Sequence, residues 1–389
     1  MGMLVSVRND PIGRGAVLQE LLEREVALGP LPGAVAALDD QAGLEVVVAG
    51  ERAPGVAMTR DTVFRIASIG KPILAATALV HVERGTVGLD DPVSRWLPEL
   101  AEPRVLRDPS GPLDDTVPAV RPITVGHLLS FTGGLGMISD FSAPLMGALF
   151  GELHQGPADP LGTPPPDEWL ARAARIPLAH QPGEGWTYNT GADVLGVLLA
   201  RATGGTLGEV LDDAVLVPLG MSDTAFRATD AMRPRLGDAV MTGPDGLAVV
   251  DPADGAFVPP PVFESGAGGL LSTLDDLLRF GRMLRGGGEF DGVRVLGTDS
   301  VAAMTAVQVP PQPGDVFLDG AAWGYGGAVD VDRAHPWSVP GRYGWVGGSG
   351  TALYFYPDTG RVAVWLGQLQ LAGPSEFGAI GRFLTTAAG

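Results

Sequence analysis

The chain has no cysteine, which excludes disulfides, thiolate metal sites and a cysteine nucleophile. It has one lysine, Lys71, beside 25 arginines. Cations are outnumbered: Lys and Arg total 26 against 45 Asp and Glu, a net charge of −19. Phosphate binding needs clustered positive charge, so nucleic acid is excluded as a partner. No apolar run approaches the roughly 20 residues of a membrane helix, so no membrane partner is expected either. The N-terminal stretch MGMLVSVRNDPIGRG lacks a cationic start followed by an apolar segment and a small-residue cleavage site, and implies a cytoplasmic location.

What is present is a core-forming composition. Of 389 residues, 45% are hydrophobic, and the 57 Gly and 34 Pro are scattered among apolar runs instead of being gathered in a linker. That is the pattern of a turn-rich globular fold. Helical spacing runs over 15–28, 68–84 up to Gly85, 123–136 after the N-cap candidate Thr124, 191–205, 206–220, 273–286 and the last stretch near 375–387. Alternating or β-branched runs at 34–38 and 44–49 predict a hairpin, and 351–356 with 361–367 predict a second strand pair around Pro357-Asp358-Thr359-Gly360. Residues 139–165 read as a long loop able to line or cover a site. Strands at both ends of the chain with helices between them predict an α+β or α/β fold on a mixed sheet of chain-distant segments. An approximate subdivision of the single domain places the sheet region at 1–85 and 206–389, and a mainly helical region at 86–205.

The chemistry starts at FRIASIGKPILAA, residues 64–76. Ser68 and Lys71 stand three apart at the head of a helix, which puts them on one face with Cβ atoms about 5–6 Å apart. An apolar setting disfavours the lysine's charged form and makes the amine a proton acceptor. A serine at a helix N-terminus sees the positive end of the macrodipole. S-x-x-K alone is a frequent chance pattern, equally read as an N-cap serine with an exposed lysine. The uniqueness of Lys71 weighs against that reading. Tyr188, in GEGWTYNTGADVLG (183–196), precedes another apolar helix; a phenol beside an ammonium loses its proton more easily and can relay one. The Gly-rich RYGWVGGSGTALYFYPDTG (342–360) allows backbone N–H groups to approach a ligand, as an oxyanion hole requires, though a plain hairpin has the same look.

These three elements, in this order, resemble the serine β-lactamase and penicillin-binding-protein superfamily, nearest to its class C-like branch of family VIII carboxylesterases. Further stretches carry the resemblance across most of the chain: VFRIASIGKP, ERGTVGLDDPVSRWLPEL, ITVGHLLSFTGGL, VLVPLGMSDTAF and GAGGLLSTLDDLLRFGRML. The resemblance implies a β-lactamase/transpeptidase-like fold, an antiparallel sheet flanked by helices plus a mainly helical subdomain. It implies Ser68 as acylated nucleophile, Lys71 as its proton partner, and Tyr188 as general base or relay. The backbone N–H groups of Ser68 and Gly348 would form the oxyanion hole, with no metal or cofactor.

Departures from the family pattern point to the substrate. Thr190 stands where class C lactamases place the asparagine of Y-x-N, and Trp345-Val346-Gly347 stands in place of K-T-G. An indole offers no cation to a lactam carboxylate. Thr190, Trp345 and Gly347 are therefore the expected substrate-binding positions, and the expected partner is a small-molecule, neutral acyl ester. The nearest alternative is an acyltransferase passing the acyl group to an alcohol or amine. Amide or D-amino-acid peptide hydrolysis, β-lactamase action and a catalytically silent binding protein complete the field. There is no G-x-S-x-G elbow, and the five histidines, 81, 127, 154, 180 and 335, have no zinc spacing.

Overall fold

The computed structural model describes residues 13–389. The first twelve residues, on which most of the reading for a targeting signal rests, lie outside it. Its organising feature is an eight-stranded sheet, and each strand pair in it is antiparallel. Across the sheet the order is Ala322–Trp323, Ala328–Val329, Tyr343–Gly347, Thr351–Tyr356, Arg361–Gly367, Gly33–Asp40, Gly43–Ala53 and Val56–Ala57. The sheet is thus built from the two ends of the chain, as its strand pattern predicts, but it is not mixed in direction. Arg361–Gly367 pairs with Gly33–Asp40, Leu38 opposite Ala363, and closes the N-terminal hairpin onto the C-terminal meander. Hairpin-connected strands are antiparallel by construction, and here the one long-range pairing is antiparallel too.

Helix α1, Arg14–Leu28, packs with the C-terminal helix Gly378–Ala388 over one face of the sheet, burying Leu18 and Leu22 with Trp365 and Phe383. The opposite face carries the larger core, centred on α2, Lys71–Glu83. Residues 71–81 of α2 are all buried, as a helix apolar on every side must be. Pro72 starts it in the first turn, and Gly85 just beyond its end takes φ +71°, a value glycine adopts without strain. Helix α3, Val125–Leu129, begins at Thr124, where a reciprocal capping box with His127 satisfies two free N–H groups.

The segment 139–165 is not the loop expected from its proline and glycine content. It contains α4, Pro144–Leu153. Pro144 stands at the helix start, where its missing N–H costs nothing. Gly147 and Gly151, four apart, both have open space where a side chain would be. The helix closes at His154 in the left-handed region, φ +52°. Next come α5, Pro166–Ala173, which went unread in the sequence, and α6, Thr190–Thr203, stopped by Gly204 at φ +78°. The helical spacing over 206–220 forms as Leu207–Leu211, a π segment Asp212–Leu216 and a last turn Val217–Leu219. Among the described residues no single helix is long and apolar enough to cross a membrane.

Candidate active site

Ser68 lies in a single 3₁₀ turn, Ala67–Gly70, that runs directly into α2. Ala67 before it holds φ +48°, a left-handed conformation that a residue with a Cβ adopts at a cost of about 1–3 kcal/mol. Neighbouring structure pins the turn there. Ser349 Oγ donates to the Arg65 carbonyl at 2.5 Å, and Thr351 Oγ1 donates to the Ile66 carbonyl at 2.8 Å. The Ile66 N–H donates to the Leu270 carbonyl at 3.0 Å. The turn at 347–351 between two interior strands and the Ser68 turn are therefore stitched together by side-chain hydroxyls, which brings Gly348 and Ser68 to the same cavity wall.

Lys71 is 1% exposed, and its Nζ lies 2.7 Å from Ser68 Oγ. It also donates to the Ala267 carbonyl at 2.5 Å and reaches the Tyr188 hydroxyl at 3.4 Å. Burial pulls its pKa down to about 7, against an upward pull from Asp193. Near neutral pH a large fraction of the amine is therefore uncharged, with two N–H bonds directed at oxygen acceptors and its lone pair free for the serine proton.

Tyr188 is delivered by a strained turn. Asn189 holds φ +79° and ψ −64°, and the Thr190 N–H donates to the Tyr188 carbonyl at 3.1 Å, closing a positive-φ γ-turn. The Tyr188 hydroxyl donates to Ser68 Oγ at 2.9 Å and accepts from Trp345 Nε1 at 2.7 Å. Its ring stacks on Phe317 with centroids 4.7 Å apart. A phenol beside an ammonium is expected to lose its proton more easily. Burial instead pushes its pKa up to about 12, and the bonds to Ser68 and Trp345 only partly oppose this. A largely neutral, desolvated lysine supplies too little charge to offset the loss of water.

Two expected substrate contacts are placed differently. Thr190 is fully buried behind the cavity, where its hydroxyl donates to Gln155 Oε1 at 3.0 Å. Asn189 lines the cavity in its stead, with its amide donating to the same Gln155 oxygen at 2.8 Å. Gly347 does not line the cavity; a Cβ there would fall 2.2 Å from Thr351 Oγ1 and 2.5 Å from the Ile66 carbonyl. Its role is close packing of strand on turn. Trp345 and Gly348 do line the cavity.

The cavity measures about 690 Å³ and is largely apolar, walled by Phe141, Phe150, Leu153, Phe263, Phe317 and Trp345 among others. Helix α4 thus supplies the wall that the sequence assigned to a loop. Among the described lining residues Arg65 is the only arginine or lysine, and it is engaged: Asp251 at 2.5 Å, the Gly237 carbonyl at 2.7 Å and the Pro252 carbonyl at 2.8 Å. Asp193 and Gln155 also stand at the cavity without having been expected from the sequence. A signal existed for Asp193, the only ionisable side chain in an otherwise apolar stretch of α6; none existed for Gln155.

A sequence model of the Beta-lactamase family matches residues 18–381. The chain belongs to that family. Protein Rv1367c of Mycobacterium tuberculosis (strain ATCC 25618 / H37Rv) is 38% identical over 323 residues, 80% of this chain and 79% of that one. Esterase EstB of Burkholderia gladioli is 37% identical over 243 residues, 59% of this chain and 58% of its own. Among solved structures, EstCE1, described as a hydrolase with promiscuous acyltransferase activity, superposes with a TM-score of 0.79 at 25% identity, covering 97% of this chain and 99% of that one. The chain is an enzyme of this serine hydrolase and acyltransferase superfamily, and its fold is the β-lactamase/transpeptidase-like one.

Proposed function

We propose that the protein cleaves neutral, apolar carboxylic esters through an acyl-enzyme on Ser68. The observation that carries this reading is a serine hydroxyl 2.7 Å from a buried lysine whose pKa is about 7, opening onto an apolar cavity. Neutral Lys71 takes the Ser68 proton as Oγ bonds to the ester carbonyl carbon. The Ser68 and Gly348 N–H groups receive the negative oxygen. The Lys71 ammonium passes a proton to the Tyr188 oxygen as the phenol gives its own to the departing alcohol, and the C–O bond to that alcohol breaks. Water, deprotonated by the same pair, then bonds to the acyl carbon, and the bond to Ser68 Oγ breaks as the pair returns that proton to the serine oxygen, releasing the acid.

The engaged state of Arg65 supports neutral substrates, since a carboxylate entering this cavity would meet Asp159 and Asp251 and, among the described lining residues, no unpaired arginine. Transfer of the acyl group to an alcohol is the second reading. A cavity of about 690 Å³ has room for an acyl chain and an acceptor together, and EstCE1 is described as having both activities. Assay on p-nitrophenyl acetate, p-nitrophenyl butyrate and the cephalosporin nitrocefin tests the reading. Ester turnover with little nitrocefin cleavage is expected; nitrocefin cleavage at a rate matching the butyrate ester would refute it. Adding a primary alcohol in excess and following transester formation separates transfer from hydrolysis.

A further inference from the structure

Asp193 is a buried carboxylate on the first turn of α6, and the proton-transfer steps above do not use it. Its Oδ1 accepts from Ser265 Oγ at 2.7 Å and from the Ala267 N–H at 3.0 Å. Its Oδ2 accepts from Gln155 Nε2 at 3.0 Å. The carbonyl of the same Ala267 accepts from Lys71 Nζ at 2.5 Å. The turn at 265–269 can come this close to α6 because residue 266 is glycine; a Cβ there would lie 2.7 Å from the Ala192 carbonyl.

Hydrogen-bond polarity favours the ionised form of Asp193. Gln155 Oε1 accepts from both Asn189 Nδ2 and Thr190 Oγ1, at 2.8 and 3.0 Å, which orients its amide nitrogen toward Asp193. Its Nε2 therefore points a donor at Asp193, and the Ala267 N–H can only donate. Burial leaves the Asp193 carboxyl raised above the usual carboxylate range, with the bonds from Gln155, Ser265 and Ala267 and the charge of Lys71 opposing it in part. A carboxylate ringed by donors is the form this geometry accommodates.

We propose that Asp193 and Gln155 are positioning residues for Lys71: the carboxylate holds the Ala267 carbonyl against the lysine amine, and Gln155 ties that carboxylate to the cavity wall and to the Asn189 turn that presents Tyr188. The proposal rests on Lys71 acting as the proton acceptor from Ser68. It gives the α4 end of the cavity a mechanical connection to the base, because Gln155 immediately follows the left-handed His154 that closes α4. Other ionisable groups on the packed elements are turned elsewhere or lie on the far side of the lysine. Glu264 accepts from the Gly208 N–H at 2.8 Å, His154 faces Asp159 at 3.7 Å, and Arg65 is paired with Asp251. Tyr188, with its pKa raised to about 12, stays neutral. The Asp193 charge is therefore the one that raises the lysine's affinity for a proton.

The test is the pH dependence of kcat/KM for p-nitrophenyl butyrate in the wild type and two folded variants, with folding checked by thermal unfolding. In Asp193→Asn the acid limb moves to lower pH by about one unit, because loss of the negative charge weakens the ammonium, and kcat falls because donor now faces donor at Gln155. The double variant Gln155→Glu/Asp193→Asn restores each hydrogen bond with the carboxylate moved one side chain away. It recovers kcat at least several-fold over the single variant while its acid limb stays below that of the wild type. If Asp193→Asn does not fold, the double variant carries the test. An acid limb unmoved in the folded variants, or no recovery in the double variant, overturns the proposal. Ser68→Ala, assayed alongside, keeps the two claims apart: turnover by that variant sinks the acyl-enzyme reading itself, whereas an inactive Ser68→Ala with an unmoved Asp193→Asn limb sinks the positioning role alone.

Discussion

The indole N–H of Trp345 donates to the hydroxyl of Tyr188 across 2.7 Å, and the two rings lie 5.7 Å apart. The phenol oxygen accepts this bond while donating to Ser68 Oγ, so the indole helps set the direction in which the phenol proton points. In the proposed mechanism Trp345 is thus both a wall of the cavity and a support for the proton relay. Replacing it with phenylalanine keeps the aromatic wall and removes the donor. The expected result is a fall in kcat of roughly tenfold, the weight of about 1–1.5 kcal/mol for one lost hydrogen bond, with KM little changed. Steady-state kinetics on p-nitrophenyl butyrate check it; a change confined to KM would assign Trp345 to binding alone.

The acid limb of activity should belong to Lys71. Only the neutral amine can accept the Ser68 proton, so kcat/KM rises with pH through about 7, the value to which burial lowers this lysine. Tyr188 is raised to about 12 and stays protonated across the working range, so it produces no fall in rate below about pH 11. A pH–rate profile with a midpoint near that of an unperturbed lysine would contradict the account. Lys71→Arg keeps the positive charge but cannot release a proton at these pH values, and a loss of roughly a thousandfold or more in kcat is expected.

Gly347 is a packing position. An alanine methyl would press on Thr351 Oγ1 and on the Ile66 carbonyl, both part of the link between sheet and nucleophile turn. Gly347→Ala is expected to destabilise the fold by about 1–3 kcal/mol and to reduce kcat by shifting Ser68. Thermal unfolding together with kinetics measures both; unchanged stability would show that the strand relaxes freely there.

On the proposed reading, helix α4 limits acyl length. Phe150 and Leu153 project from it into the cavity, with Phe141 on the chain leading into it. Phe150→Ala enlarges the site away from Ser68, so the ratio of octanoate to acetate ester turnover should rise by roughly tenfold, the usual weight of a few apolar contacts. An unchanged ratio would place the acyl chain elsewhere.

The parts legible in the sequence were those written locally. The 34–49 hairpin, the 351–367 strand pair and the buried α2 follow from alternation, turn residues and an unbroken apolar run, and each is present. The nearness of Ser68, Lys71, Tyr188 and Trp345 was expected from motif order, and the geometry brings these four side chains together. Helix α4 was hidden because its two glycines and leading proline mimic a loop, while their compatibility with a helix depends on where solvent lies. The burial of Thr190, and the convergence of Gln155 on Asp193, depend on contacts 34–38 residues apart in the chain. Nothing in local spacing encodes them. The pKa of Tyr188 went astray for the same reason, since desolvation is a tertiary quantity that residue types do not disclose.

The central claim is a covalent acyl-enzyme on Ser68. Its most direct test is intact-mass analysis of the protein quenched in acid within the first turnovers on p-nitrophenyl butyrate, followed by peptide mapping. The account predicts one added butyryl group, located on the peptide carrying Ser68 and missing in Ser68→Ala, which should also be inactive. A butyryl group on any other residue, or full ester turnover by Ser68→Ala, would contradict it.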